Sequence, residues 1–337
     1  MESVFTIAEA GANHNRNFEQ ALALIDAAVD AGADAVKFQT YTSETLYSKD
    51  TPDFAGYKNI NQLIKDIELP RKWQQDLKFY CDDKGIEFIS TPFDESAVEE
   101  LYNIGVKRYK VAGFEATDPR FIKCVAETGL PLIITSGIGS NVRVVQNIVQ
   151  WVRDVNSSAD ITILHGNNAY PTPYEDAGLN QIDLLIEQIP GIAVGLSDHT
   201  PGILVPPMAV AKGARVIEKH YTLSRLLPGP DHPFAIEPPE LKQMIKDIRT
   251  AESVCRPKKG IFSTSEEAFA MAMRSVVVKG EIKGGDILTT ENITTKRPSL
   301  DDSVPASAYY SVLGATALYD MEDDHILRHV DIEWERS

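Results

Sequence analysis

Basic residues are scarce in this sequence, because 33 lysines and arginines stand against 49 aspartates and glutamates and leave a net charge of −16. So acidic a chain argues against nucleic acid or an anionic membrane surface as its main partner. An anionic small substrate remains compatible with this charge if a few basic residues gather locally. Apolar runs of about eighteen residues, which a membrane-spanning helix requires, are also absent, so we expect no membrane partner.

Cysteine is rare as well. Cys81, Cys124 and Cys255 are odd in number, widely separated and without C-x-x-C spacing. We therefore expect reduced thiols in the core or on the surface. The first residues, MESVFTIAEAG, show neither the basic region nor the long apolar stretch of a signal peptide. These features predict a cytoplasmic protein.

What the sequence does contain is an alternation of short apolar segments and amphipathic helical patterns. In one of the latter, Val145, Ile148, Val149 and Val152 share one helical face. The alternation predicts a (β/α)8 TIM barrel over residues 1–255. The main alternative is a doubly wound sheet, which requires a phosphate-binding fingerprint that GANHNRN, after the first segment, does not provide. The eight predicted strands are 4–10, 33–40, 86–93, 107–113, 131–137, 160–166, 192–199 and 214–222.

The pattern changes after a helix predicted near residues 239–253. Residues 256–270 are interrupted by Pro, Gly, Ser and Thr, as is typical of a linker. Residues 271–337 then show short strands and tight turns, which predict a small second domain. A domain of this size has a thin core and usually needs support from another surface. We therefore expect it to dock on a barrel mouth.

Polar side chains follow every predicted strand at its carboxyl end, where barrel enzymes build their active sites. Pairs two residues apart place both side chains on one face of a strand, and we expect that face to be the barrel interior. The strand-end residues are Glu9, Lys37, Gln39, Thr91, Lys110, Thr135, Ser136, His165, Asn168, Ser197, His199, Glu218 and His220.

Two of these residues are lysines flanked by side chains that must be buried. Lys37 lies in AVKFQT and Lys110 in RYKVAG, so each ammonium group requires an anion. One interpretation is a set of purely structural salt bridges. The other is a cradle for a phosphate or carboxylate, completed by hydroxyl and amide donors from Thr91, Thr135, Asn168 and Ser197.

His199 and His220 follow neighbouring strands at comparable height. A single histidine at such a position is more often a satisfied core residue. Two that converge at one mouth indicate a divalent metal, and an oxygen-rich remainder of the coordination shell would suit Mn²⁺ or Mg²⁺.

The other histidines lie elsewhere: His14, His165, His232, His325 and His329. His165 is equally compatible with a ligand contact and with a structural hydrogen bond. His14 belongs to the first loop and could touch a ligand, whereas the two tail histidines are expected to be solvated.

Glu9 and Glu115 are the carboxylates nearest the predicted mouth. Glu9 could simply pair with Lys37, or it could orient a water or a sugar hydroxyl, and acid–base catalysis needs a carboxylate in such a position.

Longer motifs then become recognisable, and they resemble the sialic acid synthase family, the synthases of nine-carbon nonulosonic acids. The motifs, in this order, are IAEAGANHN, DAVKFQT, FISTPFD, YKVAGFE, NNAYPTPYED, GLSDHT, VIEKHYT and PGPDH, followed by TTKRP. The resemblance covers nearly the whole chain. It implies a TIM barrel joined to a C-terminal antifreeze-like (SAF, β-clip) domain, and a domain-swapped homodimer in which each small domain caps the barrel of the partner.

The resemblance also implies an activity. Such an enzyme is a carbon–carbon bond-forming transferase that condenses phosphoenolpyruvate with an open-chain N-acylated hexosamine, either N-acetylmannosamine or a 2,4-diacetamido analogue, and releases phosphate. By motif, His199 and His220 would hold the metal, and Glu9 or Glu115 would handle a water proton. The residues that would hold phosphoenolpyruvate are Lys37, Thr91, Lys110, Thr135, Asn168 and Ser197. Those that would hold the sugar are Glu9, Gln39, Tyr170, Asp231 and, from the small domain of the partner, Arg297.

Several departures from the family pattern leave the identity of the acceptor sugar undecided. Gly113 stands where related sequences often have a serine, and RPSLDDSVP replaces a glycine-rich turn. PGPDH resembles the sialic and legionaminic branch, whereas GFE resembles the SFE of pseudaminic acid synthases. A 6-phosphorylated acceptor is an alternative because Arg16 and Arg225 could hold its phosphate. A non-catalytic carbohydrate-binding protein is a further alternative, which the intact Lys, Ser and His set disfavours.

Overall fold

The computed structural model describes residues 3–53, 56, 58–257 and 263–333. The chain forms two compact units, residues 1–256 and 257–337. Several predicted segments fall partly outside the described residues: the linker at 258–262, the polar stretch after the second strand at 54, 55 and 57, and the end of the small domain at 334–337. The finer boundaries of the linker and the small domain therefore stay predictions.

Eight parallel strands form the centre of the first unit. They follow the order β3-β2-β1-β8-β7-β6-β5-β4. The two strands at the ends of this order, β3 and β4, lie beside each other. The sheet is therefore a TIM-like near-barrel, as predicted. The strands are β1 (Phe5–Glu9), β2 (Ala35–Thr40), β3 (Glu87–Pro92), β4 (Tyr109–Val111), β5 (Leu132–Thr135), β6 (Ile161–Gly166), β7 (Ala193–Asp198) and β8 (Val216–His220).

Helices of the first unit turn their apolar faces towards these strands. On α7 the predicted face is confirmed, because Val145, Ile148, Val149 and Val152 are buried. The helices are α1 (Phe18–Ala31), α2 (Ser43–Leu46), α3 (Ile60–Ile67), α4 (Gln74–Lys84), α5 (Glu95–Asn103), α6 (Pro119–Glu127), α7 (Val142–Val155), α8 (Asn180–Gln188), α9 (Val205–Ala211) and α10 (Pro238–Val254), with short 3₁₀ turns at Arg71–Trp73 and Tyr174–Asp176.

Local sequence signals explain how these helices begin and end. The Asn17 side chain accepts a hydrogen bond from the backbone N–H of Gln20 and so caps the first turn of α1. Gly32 ends the same helix in the left-handed conformation, with a φ of 83°, and its N–H returns to the last helical carbonyls. Helix α1 is thus positioned to bury Leu24 and Ile25 against the barrel.

The barrel interior is built in two layers. The lower layer is apolar and consists of Ile7, Ala35, Ile89, Ile133, Leu164 and Val216. Two residues further along five of these strands come polar side chains, at Glu9, Lys37, Thr91, Thr135 and Glu218. Because strand side chains alternate between faces, a step of two residues keeps the same inward direction. The polar layer therefore stands directly above the apolar layer, at the carboxyl end of the barrel.

The barrel is tightly packed where β6, β7 and β8 meet. A Cβ atom on Gly195 would lie 2.3 Å from the carbonyl oxygen of Val216 and 2.6 Å from a methyl carbon of Leu164. Both distances are shorter than any tolerable contact, so only glycine fits at this point of β7. The close approach brings the inward side chains of β7 and β8 together at the next level.

The second unit has its own small core. Its strands form two antiparallel pairs: β9 (Ser275–Val278) with β10 (Ile293–Lys296), and β11 (Thr316–Ala317) with β12 (Ile332–Glu333). Short 3₁₀ turns lie at Glu267–Ala272, Ala306–Ala308 and His329–Asp331. Val276, Val278, Ile293 and Leu327 are buried between them. The expectation that His325 is merely solvated is wrong, because its Nε2 lies 2.8 Å from a carboxylate oxygen of Asp331.

None of the helices that the structure describes is long and apolar enough to cross a membrane. The three cysteines are free thiols, buried at Cys81, half-buried at Cys124 and exposed at Cys255, as expected.

Replacing Leu24 by Ala should lower the free energy of unfolding by about 2–5 kcal/mol, because a fully buried side chain leaves a cavity between α1 and the barrel. The matched change Leu226→Ala, at a side chain that is 95% exposed, should cost less than about 0.5 kcal/mol. Urea unfolding followed by helical circular dichroism measures both. Equal losses would mean that α1 does not form part of the cooperative core.

Candidate active site

The strand ends gather almost all of the predicted site residues at one mouth of the first unit. Strands and their following loops supply Glu9, Lys37, Gln39, Thr91, Lys110, Glu115, Thr135, Asn168, Tyr170, Ser197, His199, His220 and Asp231. Arg297 is the exception, since it is exposed on the second unit just after β10. Its predicted contact with a sugar stays a prediction.

Four charged side chains lie buried in the centre of the polar layer: Glu9, Lys37, Lys110 and Glu218. We call them the buried charge cluster. The ammonium of Lys37 lies 2.8 Å from Glu9 and 3.8 Å from Glu218. The ammonium of Lys110 lies 3.2 Å from Glu218. Each side chain is at most 4% exposed, so none of the four charges is compensated by bulk water.

Neutral donors and acceptors complete this cluster. Lys37 donates to the hydroxyl of Thr91 at 3.0 Å, and Gln39 donates to Glu9 at 2.7 Å. Ser197 donates to Glu218 at 3.0 Å. The side chains of β1, β2, β3, β4, β7 and β8 are thus linked in one network, and each charge has a fixed neighbour.

The electrostatics of the two carboxylates differ because of where they sit. Burial, together with the neighbouring Glu218, raises the pKa of Glu9 to about 7 in spite of Lys37. Burial also opposes ionisation of Glu218, but the ammonium groups of Lys110 and Lys37 outweigh it and lower the pKa of Glu218 to about 2. Glu218 is therefore the permanent anion between the two lysines, and Glu9 is the carboxylate that can change its protonation near neutral pH.

The pKa values of the two lysines also shift in opposite directions. Burial lowers the pKa of Lys110, and Glu218 offsets part of that effect. For Lys37 burial is outweighed by Glu218 and Glu9, and the pKa is raised. Lys110 thus depends on Glu218 to keep its charge.

His199 and His220 face each other beside the charge cluster, with ring centroids 5.5 Å apart. His199 Nδ1 lies 2.5 Å from the backbone carbonyl of Asn167 and donates to it, so Nε2 carries the free lone pair. His220 Nδ1 is buried and has no hydrogen-bond partner within the described part of the chain. Burial lowers the pKa of both rings, and His199 lowers that of His220 further. Neutral imidazoles with free lone pairs are the form that binds a metal.

No group of three His, Cys, Asp or Glu side chains suited to a metal occurs in residues 3–53, 56, 58–257 and 263–333. The nearest carboxylate to the pair is Asp231, whose Oδ2 lies 3.9 Å from His220 Nδ1. The protein therefore offers two nitrogen ligands, and the rest of a coordination shell would have to come from water or substrate.

The loop after β1 fixes Asp231. Gly11 has a φ of +50°, and a Cβ atom there would lie 2.6 Å from Asp231 Oδ2 and 3.3 Å from the His220 ring. The same oxygen accepts a hydrogen bond from the backbone N–H of Ala12 at 3.1 Å. A glycine is thus required for the first loop to reach the loop after β8.

Several buried polar atoms at the mouth have no hydrogen-bond partner among the described residues: Thr135 Oγ1, Asn168 Oδ1 and Glu115 Oε2. Beside them, a cavity of about 360 Å³ opens between the loops after β5 and β6, with Ser136 and Asn168 in its wall. Buried polar groups are normally paired, so these atoms are available for a ligand. Burial also raises the pKa of Glu115 to about 7.

The remaining barrel histidines have structural roles. His165 Nε2 lies 2.8 Å from the carbonyl of Ala177, which supports the structural interpretation of this residue. His232 bridges the Thr222 hydroxyl and the Asn15 side chain. His14 accepts a hydrogen bond from the backbone N–H of Arg16.

Glu218 is among the strand-end residues expected from the sequence, but no role in the site was predicted for it. Its signal was present, because it stands two residues before His220 on one strand and must face the same way. A glutamate inside a barrel is not by itself informative, however. Only the structure shows that it lies between two lysines.

A TIM-like barrel with buried lysines and a pair of imidazoles at the carboxyl ends of its strands is typical of a barrel enzyme. The NeuB family matches residues 24–259 of the chain, and a SAF domain matches residues 273–333. The chain belongs to the NeuB family. It is a synthase of this family, a carbon–carbon bond-forming transferase.

Similar proteins cover most of the chain. The N,N'-diacetyllegionaminic acid synthase of Legionella pneumophila is 37% identical over 87% of this chain and 85% of its own length. A pseudaminic acid synthase of Campylobacter jejuni is 34% identical over 98% of this chain and 97% of its own. The crystal structure of N-acetylneuraminic acid (sialic acid) synthetase from Leptospira borgpetersenii, in complex with citrate, is 33% identical, has a TM-score of 0.73 and covers 80% of this chain and 90% of that one.

Replacing Glu218 by Gln should lower the free energy of unfolding by about 3–5 kcal/mol, because two buried ammonium groups would then share a single carboxylate. Inorganic phosphate should raise the melting temperature of Glu218→Gln more than that of the wild type, since the variant has one more uncompensated positive charge. The control is Asp183→Asn, which breaks the exposed ion pair with Lys212 and should cost about 0.2–1 kcal/mol. If phosphate stabilises wild type and Glu218→Gln equally, the glutamate does not neutralise the lysines.

Proposed function

We propose that the enzyme condenses phosphoenolpyruvate with the open-chain aldehyde of an unphosphorylated N-acylated amino hexose, giving a nonulosonic acid and phosphate. The observation that supports this most directly is the pair of buried ammonium groups, Lys37 and Lys110, next to the imidazoles of His199 and His220. A substrate with both a carboxylate and a phosphate needs ammonium groups, and protonation of Glu9, whose pKa is about 7, leaves the buried charge cluster with one net positive charge. The family relationship supplies the reaction class.

Phosphoenolpyruvate would occupy the space above the buried charge cluster. Lys37 and Lys110 would neutralise its two anionic groups. The hydroxyl of Thr135, which lacks a partner in the described chain, and the amide N–H groups of Asn168 would donate to its oxygens, together with Thr91 and Ser197. Binding would thus satisfy the Thr135 hydroxyl, which is otherwise buried without a hydrogen bond.

His199 and His220 fit a divalent cation, because both rings are neutral and His220 Nδ1 is buried without a partner in the residues described. A bound Mn²⁺ or Mg²⁺ supplies Lewis-acid polarisation of the aldehyde oxygen. Glu9, Gln39, Tyr170 and Asp231 would hold the sugar beside it.

Carbon 3 of phosphoenolpyruvate attacks the aldehyde carbon, and the aldehyde oxygen becomes an alkoxide that takes up one proton. A water adds at carbon 2 and loses one proton. The hydroxyl left on carbon 2 then loses its proton as the carbon 2 carbonyl forms and the C–O bond to phosphate breaks, so the two protons of the water end on the sugar hydroxyl and on the phosphate. Glu115 and Glu9 both have a pKa near 7, so either can accept the proton of that water. Lys37 and Lys110 hold the departing phosphate and the carboxylate throughout.

The two arginines that would favour a 6-phosphorylated acceptor are already engaged. Arg16 donates to the carbonyl of Lys65 and pairs with Glu68 at 3.5 Å. Arg225 pairs with Glu240 and donates to the carbonyl of Ala235. Neither guanidinium is free to hold a phosphate, which supports an unphosphorylated acceptor.

We also propose that the active form is a domain-swapped homodimer. The second unit is small, and its SAF match spans residues 273–333, so it would gain from docking on a barrel. In this arrangement Arg297 of one protomer, which is exposed after β10, would reach the sugar in the barrel of the other.

An assay across acceptors tests the reaction. With Mn²⁺ and phosphoenolpyruvate, the enzyme should release phosphate and form a 2-keto acid with N-acetylmannosamine or a 2,4-diacetamido hexose, but not with N-acetylmannosamine 6-phosphate. Chelation with EDTA should abolish the release, and added Mn²⁺ should restore it. Phosphate release is measured by a coupled assay and the product by mass spectrometry. An absence of phosphate from every acceptor would refute the proposed reaction.

The pH dependence identifies the proton acceptor. Because a base must be ionised and both candidate carboxylates have a pKa of about 7, kcat/KM should rise with pH through about 7 and then level off. Removing the true base should lower kcat by about 10²-fold or more and eliminate this rise. Glu115→Gln and Glu9→Gln are compared over pH 5.5–8.5. If the rise persists in both variants, neither carboxylate is the base.

A further inference from the structure

Phe234 lies beside the imidazole pair, although neither the sequence motifs nor the proposed reaction assigns it a role. It is half-buried in the turn that follows Asp231. Its ring centroid lies 5.2 Å from that of His220 and 5.5 Å from that of Tyr170. Tyr170, from the loop after β6, lies in turn 4.3 Å from His199. We call Phe234 and Tyr170 the aromatic wall.

The turn that carries Phe234 is held on both sides. Before it, Asp231 accepts from the backbone of Ala12, and the His232 ring bridges Thr222 and Asn15. After it, the backbone N–H of Ile236 donates to the carbonyl of His220 at 3.1 Å. These hydrogen bonds hold the backbone of the turn that carries Phe234 next to His220. Little conformational entropy of this turn is therefore lost when a ligand packs on the phenyl ring.

The aromatic wall contrasts with its surroundings. The buried charge cluster and Asp231, which also lie near the imidazoles, are all charged or ionisable groups. The wall presents apolar carbon instead, and it is not closed off, because Tyr170 is 43% exposed and Phe234 is only half-buried. Phe234 meets the His220 ring at an angle of 63° between the ring planes, which is a T-shaped contact.

Such a face discriminates between sugars by the groups they place against it. A methyl group that packs on the phenyl ring gives up no hydrogen bonds to water. A hydroxyl or a phosphate at the same place loses its hydrogen bonds to water and finds no donor or acceptor on either ring face. Discrimination of this kind is worth about 10- to 200-fold per methyl-sized group.

We propose that Phe234 is a specificity-determining residue, which with Tyr170 selects acceptors that carry a methyl-bearing substituent beyond the shared N-acetyl group. A second N-acyl group or a terminal deoxy methyl group meets this description. The inference rests on the proposed function, since it concerns the acceptor of that reaction.

The test compares two acceptors: N-acetylmannosamine, and a 2,4-diacetamido-2,4,6-trideoxyhexose. Wild-type enzyme should show the higher kcat/KM with the second. Phe234→Ala should lower kcat/KM for the trideoxy sugar by about tenfold or more and should lower it much less for N-acetylmannosamine, so that the preference collapses. Phe234→Leu, which keeps an apolar side chain, should retain most of the preference. Phe79→Ala, at a 59% exposed ring on α4, is the matched control and should leave both values unchanged.

Two further measurements distinguish a role of Phe234 in sugar specificity from a role in positioning the His220 ring. The KM for phosphoenolpyruvate and the Mn²⁺ concentration for half-maximal activity should not move in Phe234→Leu. Equal losses for both sugars, accompanied by a shifted Mn²⁺ requirement, would show that Phe234 only positions the imidazole and would overturn the proposal.

Turnover is not needed to decide the matter. If wild-type enzyme released no phosphate from either sugar, the proposed function would fail, and isothermal titration calorimetry of both sugars would still test the aromatic wall. Tighter binding of the trideoxy sugar that Phe234→Ala abolishes supports the inference. Equal affinities of wild-type enzyme for both sugars overturn it.

Discussion

The site depends on keeping four charges in the centre of a barrel without bulk water. Two ammonium groups and two carboxylates lie within salt-bridge distance of one another, and each is nearly fully buried. Transfer of any one of them alone from water would cost several kcal/mol. The cluster is tolerable only because β1, β2, β4 and β8 each contribute one member, so that every ammonium group has a carboxylate within 3.2 Å. Gln39, Thr91 and Ser197 are in turn hydrogen-bonded to members of the cluster.

The apolar layer below explains why the charges stay where they are. Ile7, Ala35 and Val216 fill the barrel two residues before Glu9, Lys37 and Glu218 on the same strands. Gly195 lets β7 approach β8 closely, since a Cβ atom there would lie 2.3 Å from the carbonyl oxygen of Val216. The same burial that makes the charges interdependent keeps His199 and His220 neutral. Burial at the mouth therefore accounts both for the paired charges and for the neutral form of the two imidazoles.

Much of this could be predicted from periodicity. Eight apolar segments separated by amphipathic helical patterns predict eight strands, and the two-residue alternation identifies Lys37, His199 and His220 as inward-facing. The polar residues at strand ends were informative because barrel geometry brings all carboxyl ends to one mouth. Which side chains form ion pairs within the mouth was not predictable from the sequence, because these contacts depend on which strands become neighbours and on their register. For this reason Glu218 was placed at the mouth without a role, and Phe234 was missed. The role of Glu218 depends on Lys110 on β4, and that of Phe234 depends on Tyr170 on a different loop.

The sequence by itself thus determined the barrel, the small second unit, the family and the direction in which most functional side chains point. These properties are set by local periodicity and by motifs a few residues long. Only the tertiary structure decided which carboxylate separates the two lysines, why Arg16 and Arg225 are already paired, and where an apolar wall meets the imidazoles. These properties are distances between residues far apart in the chain, and they are fixed by packing.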